Sequence, residues 1–203
     1  PPGLIADTGF DVLTHAVEGY TASNAGTIPD LLAQDAFRTA FACLPASYAG
    51  DRSVRLRLHM ASTLAGIAFS RSGLGLCHAM AHVLGGRFHI PHGRLNAILL
   101  PAVISGNAPA AQAKYARLAR AAGLGGSADT VALRNLKNGL IRLRKDLGLP
   151  QTLSQAGAPP AQVWAATGEI VEAVLADPCC KTNPVPVEDY LVRRVLEEVT
   201  GNF

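Results

Sequence analysis

The sequence predicts an all-α fold, a helical bundle-like domain spanning residues 1–203, on three observations. Apolar residues recur every three or four positions along most of the chain. Alternating β-branched runs, the mark of half-buried strands, do not occur. Pro, Gly, Asp and Thr fall where helices of ordinary length would start and stop.

The elements follow in chain order. Asp7-Thr8 is expected to cap a first helix running to about Thr21, with Phe10, Leu13, Val17 and Tyr20 on one stripe. A second reads from Pro29-Asp30 to about Tyr48, turning Leu31, Leu32, Phe37, Phe41 and Leu44 inward. Asp51 is expected to cap a third, carrying Leu58, Leu64, Ile67 and Phe69. The turn Gly73-Leu74-Gly75 leads into a fourth, from Leu76 to Gly85 or Gly86. Pro91 suits the first position of a fifth, with Ile98, Leu99 and Leu100 apolar. Ala110 to Ala122 and Thr130 to Leu147 read as two further amphipathic helices. Pro159-Pro160 opens another, carrying Trp164, and Pro184 to Pro186 precede a last one from about Val187 to Val199.

Composition narrows the function classes. Of the 203 residues 49% are apolar and only 16% charged, so a sizeable core forms and some surface is expected to be covered by another domain or a second copy of the chain, a homo-oligomer. The net charge of +3 is small and scattered, with its excess at Arg52, Arg55 and Arg57 and between Arg134 and Lys145, which argues against nucleic acid. No apolar run approaches the ~20 residues of a membrane span, and no signal peptide is visible. Cys43, Cys77, Cys179 and Cys180 have no framework spacing, which fits free thiols in a reducing cytoplasm.

Chemistry concentrates in two stretches. Asp11 and His15 stand four apart on a helix, and so do His78 and His82 on another. That spacing puts each pair on one face with Cβ atoms about 6 Å apart. His92 follows Pro91 at a helix start. Imidazole plus carboxylate suits a borderline divalent cation such as Fe2+ or Zn2+. Neutral imidazoles with one carboxylate leave such a cation net positive, as a Lewis acid requires. The competing reading of any single histidine here is a hydrogen-bonded core residue. What favours a metal site is the grouping: four histidines between His78 and His92, and Asp11 four residues before His15. Spacing alone nominates His78 and His82 together as ligands.

The stretches Asp11-Val-Leu-Thr-His-Ala-Val-Glu18, Ala61-Ser-Thr-Leu-Ala-Gly-Ile-Ala-Phe-Ser70, Gly73 to Gly86, Ile90-Pro-His-Gly93, Asn96 to Pro101 and Asp177-Pro-Cys-Cys-Lys-Thr-Asn-Pro184 closely resemble the iron-containing (group III) alcohol dehydrogenases. The run Phe88 to Arg94 looks most like the members of ethanolamine and propanediol utilisation, a likeness that also implies a bacterial microcompartment as a setting within the cytoplasm. The resemblance implies that Asp11, His15, His78 and His92 hold the metal. It moves His82 out of the ligand set, to a place near the nicotinamide as a proton relay. It gives Phe69 and Leu74 a part in shaping the same pocket; plain core is the competing reading of both. His89 is expected on the outer side of its loop. Val83 departs from the common pattern, where many members carry Pro, without disturbing the register of the ligand positions.

The resemblance also implies what lies elsewhere. The family joins an N-terminal α/β nucleotide-binding domain to a helical one, and NAD(H) phosphates need a strand, a Gly-rich turn and a helix. Gly123-Leu124-Gly125-Gly126 sits between helical segments with no strand before it, so we expect only the helical metal and substrate domain here, with a small alcohol or aldehyde as substrate of the whole enzyme. Three other readings stand beside this one: a zinc enzyme like glycerol dehydrogenase, a His/Asp metal hydrolase, and a non-catalytic helical domain with an unused site. The hydrolase lacks its adjacent His-Asp pair.

Overall fold

The computed structural model describes residues 1–201, among which all regular structure is helical. The elements are α1 (Pro2–Thr21), α2 (Thr27–Tyr48), α3 (Arg55–Ser72), α4 (Leu76–Phe88), α5 (His92–Ala121), α6 (Asp129–Asp146), α7 (Leu153–Ala156), α8 (Pro160–Ala165), α9 (Thr167–Ala176) and α10 (Asp189–Thr200), with a 3-10 turn at Pro178–Thr182 before α10. The all-α expectation holds.

Helix α1 is the centre of the bundle and packs on α2, α3 and α5. Phe10, Leu13, Val17 and Tyr20 are all buried, as their spacing requires. Asp7-Thr8 caps nothing. Helix α1 starts at Pro2, whose fixed φ and missing N–H suit a first turn. Asp7 lies within it and forms a two-pronged ion pair with Arg94 of α5, at 3.0 and 3.2 Å, while the Thr8 hydroxyl donates to the Leu4 carbonyl.

Helices α1 and α5 approach closely at Gly93. A methyl group there would lie 1.9 Å from the Asp7 carbonyl oxygen. Gly93→Ala is therefore expected to destabilise the fold by about 1–3 kcal/mol, the usual range for overpacking. Urea denaturation would show it as a lower midpoint at unchanged slope. An alanine variant as stable as the parent would mean that the two backbones do not meet there.

Two expected helices, from Pro91 and from Ala110, are one. Helix α5 runs 30 residues through Pro101 and Pro109. A proline inside a helix frees the carbonyl four residues earlier. For Pro101 that carbonyl is Ala97, and the buried Arg144 of α6 donates to it at 3.1 Å and to Ile98 at 3.2 Å. A tertiary donor thus replaces the lost helical one. Leu31, expected inward, is 62% exposed. Asp51 does not cap α3, which begins at Arg55; it closes a turn onto the Ser53 backbone N–H at 2.8 Å instead.

The C-terminal segment is tied to the start of α4. Asn183 accepts from the Leu76 backbone N–H at 3.1 Å and exchanges two amide hydrogen bonds with Asn107 of α5, at 2.9 and 2.7 Å. Thr182 donates to the Leu74 carbonyl at 2.7 Å. Helix α10 then buries Leu191, Val192, Val195, Leu196 and Val199 in a clean helical stripe. No described helix is long and apolar enough to cross a membrane, and all four cysteines are unpaired.

Candidate metal centre

Three helices deliver the expected residues to one place. Asp11 and His15 come from α1, His78 from the first turn of α4, and His92 from the first position of α5. Asp11 Oδ1 lies 3.6 Å from His78 Nε2 and 3.4 Å from His92 Nε2. One ligand atom from each of Asp11, His78 and His92 falls within 4.8 Å of the others. His15 stands beside this trio: its Nδ1 is 3.8 Å from Asp11 Oδ2 and its ring stacks on His78 with centroids 4.5 Å apart. One carboxylate and nearby imidazoles, with nitrogens turned toward a shared space, form a donor set that fits a divalent cation of the iron or zinc kind.

The orientation of His78 is fixed by a residue the sequence reading passed over. Glu18 is almost fully buried on α1. It accepts the Nδ1–H of His78 at 2.6 Å, so Nε2 is the nitrogen turned toward Asp11 and the one that would give up its proton to a cation. The same carboxylate accepts backbone N–H groups from Gly75 at 3.1 Å, Cys77 at 2.7 Å and His78 at 3.3 Å. It therefore caps α4 from another helix and places negative charge at that helix's positive end. Gly75 is required there, because a Cβ would lie 2.7 Å from Asn183 Oδ1 and 2.9 Å from Glu18 Oε1. The available signal was His15-Ala-Val-Glu18, a carboxylate set in an otherwise apolar stretch.

Burial and pairing pull the histidines apart electrostatically. For His15 burial dominates over the Asp11 charge, and the pKa falls to about 4. Burial also opposes protonation of His78, but the hydrogen bonds and charges of Asp11 and Glu18 outweigh it and raise the pKa to about 9. Burial lowers His92. Burial would raise Asp11, yet the hydrogen bond from His78 and the three neighbouring imidazoles hold it below the usual carboxylate range.

His82 lies outside this trio. It is 46% exposed, its Nδ1 donates to Asp177 Oδ2 at 2.9 Å, and its ring stacks on His92 at 5.3 Å. Asp177 is in turn held by the Cys179 backbone N–H at 2.8 Å. Phe69 stacks on His15 at 4.5 Å. Leu74 is half-buried in the loop before α4. His89 is exposed and ends α4 in a left-handed conformation. Asp11 and His15 also line a cleft of about 570 Å³ bounded by Leu4, Val12, Leu58 and His59.

The model of the Fe-containing alcohol dehydrogenase family, C-terminal part, matches residues 5–200. The chain belongs to this family. It is 43% identical over 206 residues to the 1-propanol dehydrogenase PduQ of Citrobacter freundii, covering 98% of this chain and 55% of that protein. The NADPH-dependent butanol dehydrogenase of Clostridium saccharobutylicum is 38% identical over 197 residues, covering 97% and 51%. Among solved structures, a 1,3-propanediol oxidoreductase superposes with a TM-score of 0.91 at 34% identity, over 97% of this chain and 52% of that one. The chain thus spans about half the length of these relatives, and its helical fold is that of the C-terminal part of an iron-type alcohol dehydrogenase.

Proposed function

We propose that this chain is the metal-binding half of an NAD(P)-dependent alcohol dehydrogenase or aldehyde reductase, acting on a small alcohol or aldehyde. One observation carries the reading: a carboxylate and imidazole nitrogens from three separate helices converge beside a cleft. Asp11, His15, His78 and His92 would hold the cation, iron(II) in the first instance and zinc as the alternative. When bound, it supplies Lewis-acid polarisation of the substrate oxygen.

The chain's own residues do the rest. Glu18 keeps His78 in the tautomer that presents Nε2. The Asp177 carboxylate takes Nδ1–H of His82, so Nε2 of that exposed ring is the atom that takes or returns the substrate's proton. Phe69, stacked on His15, screens the inner side from water, and Leu74 closes the edge toward the nicotinamide. Among the described residues there is no strand, and hence no strand–turn–helix cradle for a pyrophosphate. The coenzyme's phosphates are therefore held by a nucleotide-binding part outside residues 1–203. Four free thiols suit a cytoplasmic setting.

The test is made on the protein at its natural length, purified anaerobically. His82→Ala is expected to keep its full metal content and lose about 100-fold in turnover, the scale of a general acid–base group. Loss of metal in this variant would return His82 to the ligand set. Residues 1–203 alone should bind the cation yet show no turnover with NAD(H) and a simple aldehyde. Turnover by this chain alone would overturn the half-enzyme reading, and hydrolysis of phosphate esters would favour the hydrolase.

A further inference from the structure

Asn96 is fully buried on α5, one turn after His92. Its carboxamide nitrogen donates to Asp11 Oδ1 at 2.7 Å, the shortest polar contact that Asp11 makes. The same nitrogen lies 3.1 Å from His92 Nε2 and 3.5 Å from His78 Nε2. Its other end is oriented too: Cys77 Sγ, fully buried at the start of α4, lies 3.6 Å from Asn96 Oδ1 and 3.8 Å from the Asn96 carbonyl. A thiol is a weak donor, so this contact sets Oδ1 toward Cys77 and the NH2 toward the carboxylate.

We propose that Asn96 is a positioning residue of the metal centre, which fixes the rotamer of Asp11 through its amide N–H and so sets the angle at which Asp11 offers its oxygens. The proposal rests on the metal-centre reading above. Three arguments support it. A carboxylate oxygen has more than one lone pair, so Asp11 can accept from Asn96 and still bind a cation. Asp11 sits on a helix face opposite α4 and α5, and among the described residues Asn96 is the one side chain other than the imidazoles that donates a hydrogen bond to it. A neutral amide also does this without adding a second negative charge, which a carboxylate at position 96 would bring within the trio.

Asn96→Leu keeps the size of the side chain and removes the donor. In the protein at its natural length we expect a 10–100-fold weaker dissociation constant for Co2+ or Zn2+ against a competing chelator, the range for loss of an outer hydrogen-bond partner. The visible absorption of bound Co2+ should shift as well, because the Asp11 oxygen changes its angle; a purely structural asparagine would leave that spectrum unmoved. Circular dichroism with chelator present checks that the variant folds. Cys77→Val, which removes the Sγ contact and leaves Asn96 in place, is the second arm and should weaken binding in the same direction by a smaller factor. Unchanged affinity and spectrum in Asn96→Leu would overturn the proposal. So would tighter binding, which would make the amide a competitor for His92 rather than a support for Asp11. If the unaltered protein takes up neither metal, the metal-centre reading itself fails.

Discussion

His78→Ala is expected to strip the protein of its metal while leaving the helices in place. The imidazole is the most deeply buried of the four candidate ligands, at 1% exposure, and its Nε2 faces Asp11. Removing one of four donors should cost more than the 10–100-fold assigned to outer partners, so affinity should fall by more than about 100-fold. The fold should survive, because Glu18 loses one donor and keeps three backbone N–H groups. We expect a loss of about 1–3 kcal/mol in unfolding free energy from the missing hydrogen bond. Metal content after dialysis, set against a thermal melt, separates the two effects. A His78→Ala protein that retains full occupancy would remove His78 from the ligand set.

Glu18→Ala is expected to do the opposite: to damage the fold first and the metal centre as a consequence. The substitution leaves three N–H groups at the start of α4 and the Nδ1–H of His78 without an acceptor, all in a dry part of the core. Breaking a buried charged pair by deleting one partner typically costs about 3–5 kcal/mol. Glu18→Gln should be milder, because one oxygen still accepts, but its NH2 meets backbone donors and cannot satisfy them. We therefore expect stability in the order wild type, Gln, Ala, and metal affinity in the same order. Chemical denaturation and chelator competition read the two series. Equal stability of all three would show that α4 does not depend on α1 for its cap.

Much of this was legible in the sequence, and the failures have physical causes. Helix α10 could be read because its apolar stripe is unbroken from Leu191 to Val199. Apolar character alone does not mark the core, because α3 carries apolar residues on an exposed face as well as a buried one, with Leu56, Met60 and Ile67 all in solvent. The continuity of α5 could not be read, since the donor that compensates Pro101 is Arg144, more than forty residues away. The centre follows the same rule. The four-residue spacing announced both pairs, Asp11 with His15 and His78 with His82. It could not say which histidine of the second pair turns inward. That choice is made by Glu18, 60 residues before His78, and by Asp177, 95 residues after His82. The family resemblance chose His78 over His82 where local spacing could not choose, and the alanine variants of the two test that choice.

The ties between the Asp177–Asn183 segment and the start of α4 have a consequence for biogenesis. All four candidate ligands lie at or before His92, so they are made before the segment that clasps α4. The carboxylate that holds His82, the threonine that grips Leu74 and the amide that anchors Leu76 arrive only at residues 177, 182 and 183. Nascent chains arrested before that point would carry every donor atom and still lack the clasp that settles α4, so loading with metal is expected to follow the synthesis of Asn183.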